Sequence, residues 1–270
     1  MVEHVGDLAI VGVGNMGSAM VDGLVRSGTD PRTLTLVEPD SSRRAALARL
    51  HPTATVVESL IAHPGPIRAA VVAVKPAEVD AVCTALAERG VRRVMSIAAG
   101  VTVSRLQAHC GANVAVIRAM PNTPAVIGRS TTAMTMGENC TAADVAWARA
   151  ILDGIGVVVE LPETSMDAFT GLVGSGPAYL FYVAEALLAA ARSAGLPSPE
   201  RLVANLLVGA ALLVEREPGS PDELRRRVTS PNGTTAAGIA VLEERGVADA
   251  VVAAVQRATE RSRELGLPPR

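Results

Sequence analysis

Lysine is almost missing from this 270-residue chain: of 25 basic residues, Lys75 is the only one that is not arginine. The arginines form no long stripe and the formal net charge is −2, so the electrostatic footprint of a nucleic-acid binder is lacking and a small-molecule partner is expected. Cysteine is scarce as well. Cys83, Cys110 and Cys140 form neither a CxxC pair nor a zinc-ligand spacing, and the odd count fits reduced thiols in a cytoplasmic protein. The four histidines, His4, His51, His63 and His109, are scattered, and no HExxH, GxSxG or GxxxxGK[ST] is present. Metal hydrolysis, a serine triad and P-loop chemistry are therefore disfavoured, and no metal is expected. Residues 1–7 carry Glu3 and Asp7 and lead into a strand, which predicts no signal peptide. The longest uncharged run, residues 168–184, is interrupted by Gly171, Gly174, Gly176 and Pro177, which predicts a run too broken to span a membrane.

What is present suits an ordinary two-domain protein. Hydrophobic residues make up 49% and charged residues 19%, enough to build buried cores without staples. In the first half, short β-branched runs at 8–13, 33–38, 69–74, 94–97 and 114–119 alternate with helical patterns at 16–27, 41–50, 77–89 and 103–109. Such alternation predicts a parallel Rossmann-type α/β sheet with right-handed crossovers. Strands at 131–136 and 157–160 extend it, flanking a helix that Thr141 and Asp144 cap.

Beyond Pro162 every long apolar stretch has helical period, so the reading is a dinucleotide-binding domain, 1–161, followed by an all-α domain, 162–270. The helix over 202–214 carries no charge. A helix apolar nearly all round needs cover, and a small bundle has little interior, so a homodimer interface is expected there.

Gly12-Val13-Gly14-Asn15-Met16-Gly17 follows the first strand and opens the first helix, the context in which GxGxxG marks a nucleotide site. Gly12 permits the tight turn, Gly14 lets amides approach a pyrophosphate, and Gly17 lets helix and strand pack closely. Glu38 ends the second strand, where an acid accepts ribose hydroxyls and repels a ribose phosphate, favouring NADH. Ser41, Ser42, Arg43 and Arg44 follow at once and would suit the phosphate of NADPH, or simply start a helix. Val74-Lys75-Pro76 ends another strand on the edge where ligands bind in open α/β folds, and Lys75 could reach a cofactor ribose or a substrate carboxylate. Ala98-Ala99-Gly100 and Pro121-Asn122 end two more, their small residues and proline suggesting walls around a flat ring. In the second half, Ser175 to Tyr179 and Ser230-Pro231-Asn232-Gly233-Thr234-Thr235 set hydroxyls and small residues before helix starts, where free amides can bind a carboxylate.

Together these segments resemble the 1-pyrroline-5-carboxylate reductase family. The most specific is Val228-Thr229-Ser230-Pro231-Asn232-Gly233-Thr234-Thr235 with Ala237-Gly238-Ile239 and Leu242-Glu243, similar to the family signature. The resemblance implies a Rossmann domain, a helical domain interlocking two subunits, commonly a ring of five dimers, and NADPH or NADH as hydride donor to a cyclic imine carboxylate. It also implies that the Ser230–Thr235 loop cradles that carboxylate and that Thr235 hydrogen-bonds the ring nitrogen. Members often carry a hydroxyl residue where this chain has Glu38. Two other readings stand beside it: a reductase of another cyclic imine, such as the six-membered analogue, and a nucleotide-sensing Rossmann protein without turnover.

Overall fold

The computed structural model describes residues 7–266. Its strands are β1 (Leu8–Val11), β2 (Leu34–Val37), β3 (Thr55–Val57), β4 (Ala69–Val72), β5 (Arg93–Ser96), β6 (Ala115–Met120), β7 (Ser130–Met136) and β8 (Gly156–Glu160). They form one sheet in the order β3-β2-β1-β4-β5-β6-β7-β8. Every neighbouring pair is parallel except β6 with β7. Leu8 of β1 lies between Leu34 of β2 and Ala69 of β4, so the chain runs outward through β2 and β3 and then returns to the other side of β1. That reversal creates the switch point at which a doubly wound sheet opens a crevice at its carboxyl edge.

Six helices accompany the sheet: α1 (Asn15–Arg26), α2 (Ser41–Leu50), α3 (Val79–Glu88), α4 (Val103–Cys110), α5 (Ala142–Leu152) and α6 (Met166–Phe169). One face is packed by Met20 and Leu24 of α1 with Trp147 and Ile151 of α5, and the other by Val79, Cys83 and Leu86 of α3 with Leu106 of α4. Residues from both faces of β1 and β4 are buried, which explains their unbroken apolar runs. The Thr141 and Asp144 capping box forms as expected. The three cysteines are free thiols, and Cys83 is held protonated by its hydrogen bond with Cys110 and by burial.

Five helices follow: α7 (Gly176–Ser193), α8 (Pro199–Arg216), α9 (Pro221–Arg227), α10 (Thr234–Glu244) and α11 (Val247–Gly266). Gly195 ends the turn after α7 with φ of 69°, and Ser220 with Glu223 forms the capping box that starts α9. The chain divides into two compact units, residues 7–174 with 258–266, and Ser175–Arg257. Packing thus divides the chain later than the change of pattern at Leu161 and Pro162, and the end of α11 belongs with the sheet.

The sheet has one strand more than the sequence pattern predicts, and one expectation needs correction. The extra strand, β3, lies between two assigned segments, where three residues, one exposed and two half-buried, carry too little periodicity to mark it. The glycines after Ala168 do not break the helix: a π turn over Thr170–Gly174 carries it from α6 to α7. Gly174 is accommodated because a Cβ there would lie 2.9 Å from Met120 Cε. Glu163–Ser193 is consequently one stretch long and apolar enough, by length and composition alone, to cross a membrane.

Candidate cofactor and substrate sites

The glycine turn after β1 is shaped by three close approaches. Gly12 has φ of 90°, and a Cβ there would sit 2.8 Å from Val74 Cγ1 and 2.9 Å from the Ala73 carbonyl, across the switch point. A Cβ on Gly17 would lie 2.2 Å from the Gly12 oxygen, so α1 closes directly onto the turn. Beyond Gly14, by contrast, the space is open, with only the Arg43 guanidinium within 4 Å of where a Cβ would point. No side chain caps α1 and no acid stands in its first turn, which leaves the amides of Asn15, Met16 and Gly17 available to an anion. Val13, Gly14, Asn15, Ser18 and Arg43 line a shallow cavity of about 200 Å³ there.

The acid and the arginines divide their work in a way the sequence did not disclose. Glu38 is only 4% exposed. Its Oε2 accepts the Val13 amide at 3.1 Å and its Oε1 accepts the Asp40 amide at 3.0 Å, so the carboxylate braces the turn from beneath. Arg44 donates to the carbonyls of Glu38 and Pro39 at 2.9 and 2.6 Å, stapling the same corner. Arg43 is exposed and makes no ion pair within 4 Å among the described residues, so its guanidinium stands beside Gly14 within the field of the Asp40 carboxylate. The cap of α2 is Asp40, whose carboxylate accepts the Ser42 hydroxyl at 2.6 Å and the Arg43 amide at 2.8 Å. Those bonds, the Ser42 hydroxyl foremost, hold the Asp40 carboxyl below its usual range. Ser41, the first residue of α2, is exposed and does not cap it.

Further along the carboxyl edge, Val74 packs over Gly12, Lys75 is exposed, and Pro76 opens a 3-10 turn, Pro76–Glu78. Ala98 is buried, Ala99 half-buried, and Gly100 has φ of 76°. Pro121 is buried. Asn122 is also buried and is occupied structurally: it donates to the Val173 carbonyl at 3.1 Å and accepts the Thr131 amide at 3.1 Å. Its side chain therefore ties the end of β6 to β7 and to the π turn, while its amide donates to the Ser130 hydroxyl at 3.2 Å and its carbonyl accepts the Ala125 amide at 3.1 Å.

In the second unit Ser175 precedes α7 without capping it, and Tyr179 is half-buried one turn on. Asn232 takes a left-handed φ of 59° and turns the chain into Gly233, where a Cβ would collide with the Ser230 hydroxyl. No side chain caps α10 at Gly233 and its first turn carries no acid, so the amides of Thr234 and Thr235 are open to an anion. The Ser230 and Thr235 side chains are exposed at this start. Among the described residues no cluster of histidine, cysteine and carboxylate could hold a metal.

A curated relative from Synechocystis sp., named pyrroline-5-carboxylate reductase, is 38% identical over 272 residues that cover 96% of this chain and 98% of the relative. The chain belongs to the pyrroline-5-carboxylate reductase family. Residues 163–265 match the family model described as pyrroline-5-carboxylate reductase dimerisation, and residues 7–100 match one described as NADP oxidoreductase coenzyme F420-dependent. The fold is similar to that of the pyrroline carboxylate reductase of Plasmodium falciparum, solved with NADP bound, at a TM-score of 0.87 and 26% identity over 98% of this chain and 99% of that one. The Coxiella burnetii reductase superposes with the same TM-score at 29% identity over 98% of this chain and 100% of that one. The dimerisation match accounts for the second unit of this reductase-family chain, in which Ala191 and Val203 are the only buried hydrophobic residues while Leu202, Leu206, Val208 and Leu213 stand exposed. The chain is built to associate with another copy of itself.

Proposed function

We propose that this chain reduces 1-pyrroline-5-carboxylate to L-proline with NADPH or NADH. The observation that carries the reading is the uncapped start of α10, with its exposed Thr235, in a chain whose other unit presents an uncapped glycine turn at Asn15. The first suits the carboxylate of a small cyclic imine and the second a pyrophosphate. The dinucleotide, when bound, supplies the hydride. Gly12, Gly14, Asn15, Met16, Gly17, Ser41 and Arg43 would hold its adenosine half, over the Glu38 brace. Val74, Lys75, Pro76, Ala98, Ala99, Gly100, Pro121 and Asn122 would wall its nicotinamide side. Ser175, Tyr179, Ser230, Asn232, Gly233 and Thr234 would surround the substrate, with Thr235 on the ring nitrogen. A protonated imine accepts hydride at carbon without a strong acid or a metal, so positioning and one hydroxyl suffice.

A cytoplasmic homodimer, assembled in fives as a ring, is the form proposed, with a second subunit rather than lipid covering the apolar helices. The test is oxidation of NADPH and of NADH with five- and six-membered imine carboxylates. Turnover on the five-membered ring is expected. Turnover confined to the six-membered ring would reassign the substrate, and none on either would favour a nucleotide sensor.

A further inference from the structure

The strand β6 is apolar but for Arg118, whose side chain is 2% exposed. A guanidinium is costly to bury unless it is paired, and an aliphatic residue would fill a strand core as well. Arg118 reaches out of the sheet to segments far away in sequence. Its Nη1 donates to Glu163 Oε1 at 2.7 Å, and its Nη2 lies 3.6 Å from Asp167 Oδ1. Asp167 Oδ1 accepts the Ser262 hydroxyl of α11 at 2.7 Å, and Glu163 Oε1 also accepts the Val103 amide that begins α4, at 3.4 Å. The knot thus links β6, the helix after Pro162, the end of α11, and the chain leaving Gly100.

The same end of α11 meets that chain directly. A Cβ on Gly100 would lie 3.0 Å from Leu265 Cβ and 3.1 Å from the Ser262 carbonyl, and a Cβ on Gly266 would lie 2.5 Å from the Gly100 oxygen. The segment 97–103 is therefore gripped twice, at Gly100 by α11 and at Val103 by Glu163. It leaves β5, across the switch point from the half of the sheet that carries the glycine turn. In a doubly wound sheet that second half receives the second nucleotide.

We propose that the Arg118, Glu163, Asp167 and Ser262 knot, with the Gly100 and Gly266 contact, is a positioning device that fixes Ala98–Ala99–Gly100 against the nicotinamide. The proposal rests on the reductase reading. These residues touch no reacting atom; they hold the backbone that does. Misplacing a reacting ring by about 1 Å can cost about a hundredfold in rate, while the adenosine half, anchored elsewhere, would be unaffected.

The experiment uses the full chain with Gly266→Ala, which forces the two backbones apart, and Ser262→Ala, which removes one hydroxyl. Three quantities are measured: kcat with the imine, KM for the dinucleotide, and inhibition by 2′-phospho-ADP-ribose, which carries the adenosine half without nicotinamide. Gly266→Ala is expected to lower kcat at least tenfold and Ser262→Ala at least threefold, with the fragment's inhibition constant within twofold of the parent. If Gly266→Ala fails to fold by circular dichroism, Ser262→Ala decides alone. A kcat that falls less than threefold in every folded variant overturns the proposal. So does a loss of fragment affinity that matches the loss of kcat, because that reports general damage. The parent's own turnover on imine tests the reductase reading separately.

Discussion

Replacing Glu38 by glutamine separates the brace seen in the structure from the cofactor discrimination expected of the same carboxylate. Each oxygen now accepts a backbone amide, from Val13 at 3.1 Å and from Asp40 at 3.0 Å, in a residue 4% exposed. Glutamine offers a single acceptor, and its amide nitrogen would face the other N–H donor to donor. A hydrogen bond to a charged group contributes about 1.5–3 kcal/mol, and a buried donor left unpaired costs about 1–3 kcal/mol, so Glu38→Gln should lose about 2–3 kcal/mol of stability. Since Val13 is inside the glycine turn, affinity for both dinucleotides should fall together, by about tenfold if half of that loss is felt on binding. The charge acts differently. Were NADPH to place its ribose phosphate within roughly 8 Å of this carboxylate, removing one negative charge would be worth about 2 kcal/mol at an effective dielectric of about 20, and it would benefit NADPH alone. The NADPH to NADH affinity ratio should therefore rise at least tenfold. In the unaltered protein NADH should serve at least comparably to NADPH. Urea denaturation reads the first effect, and fluorescence titration with each cofactor reads the second. Unchanged stability would refute the brace. An unchanged ratio, or a hundredfold preference for NADPH in the parent protein, would refute the discrimination.

The exposed apolar residues of α8 should make the chain sediment as a dimer or a multiple of dimers at micromolar concentration, and a monomer in analytical ultracentrifugation would contradict this. Asp80 accepts both Nε and Nη2 of Arg105, at 2.8 and 3.0 Å, and that pairing holds its carboxyl below the usual range. Because the folded pKa is the depressed one, the stabilisation is present above the unfolded pKa near 4 and is lost as pH falls through the folded value. Asp80→Asn should flatten the acid limb of a stability–pH curve measured by urea denaturation and leave its alkaline limb alone. Thr235→Val should lower imine turnover by roughly thirtyfold to a thousandfold, the equivalent of about 2–4 kcal/mol, with dinucleotide affinity unchanged. Normal turnover would move the nitrogen contact to Tyr179.

Local patterning made most of the fold legible. Seven strands and the helices between them are long enough for periodicity to speak, and the capping boxes at Thr141 and Ser220 obey rules that act within four residues. What escaped depends on partners distant in the chain. Gly171 and Gly174 look like helix breakers until Met120 is seen to occupy the space beside Gly174. Asn122 reads as part of a ligand wall, yet its side chain is used by Val173 and Thr131. Glu38 sits where a cofactor-sensing acid is expected, but nothing in sequence says that Val13 and Asp40 claim its oxygens. Arg118 left one faint signal, a lone charge inside an otherwise apolar strand. Its partners Glu163 and Asp167 follow a change of domain pattern and could not be paired with it by spacing.

The absence of an obvious proton donor follows from the chemistry rather than from a missing residue. Carbonyl reduction leaves an alkoxide that must be protonated as it forms, which demands an acid of matched pKa close by. An imine carries its proton on nitrogen before hydride arrives, and reduction converts a cation into a neutral amine. Charge is consumed rather than created, so the site needs orientation and an anion cradle for the carboxylate more than it needs an acid. The uncapped amides at Thr234 and Thr235 offer such a cradle without any side-chain charge. The one lysine, Lys75, lies in the unit that carries the sheet and outside the unit that carries α10. Were the substrate a carbonyl, Lys75→Met should abolish turnover. With an imine it should lower dinucleotide or carboxylate affinity and leave kcat within about tenfold, a difference that steady-state kinetics resolves.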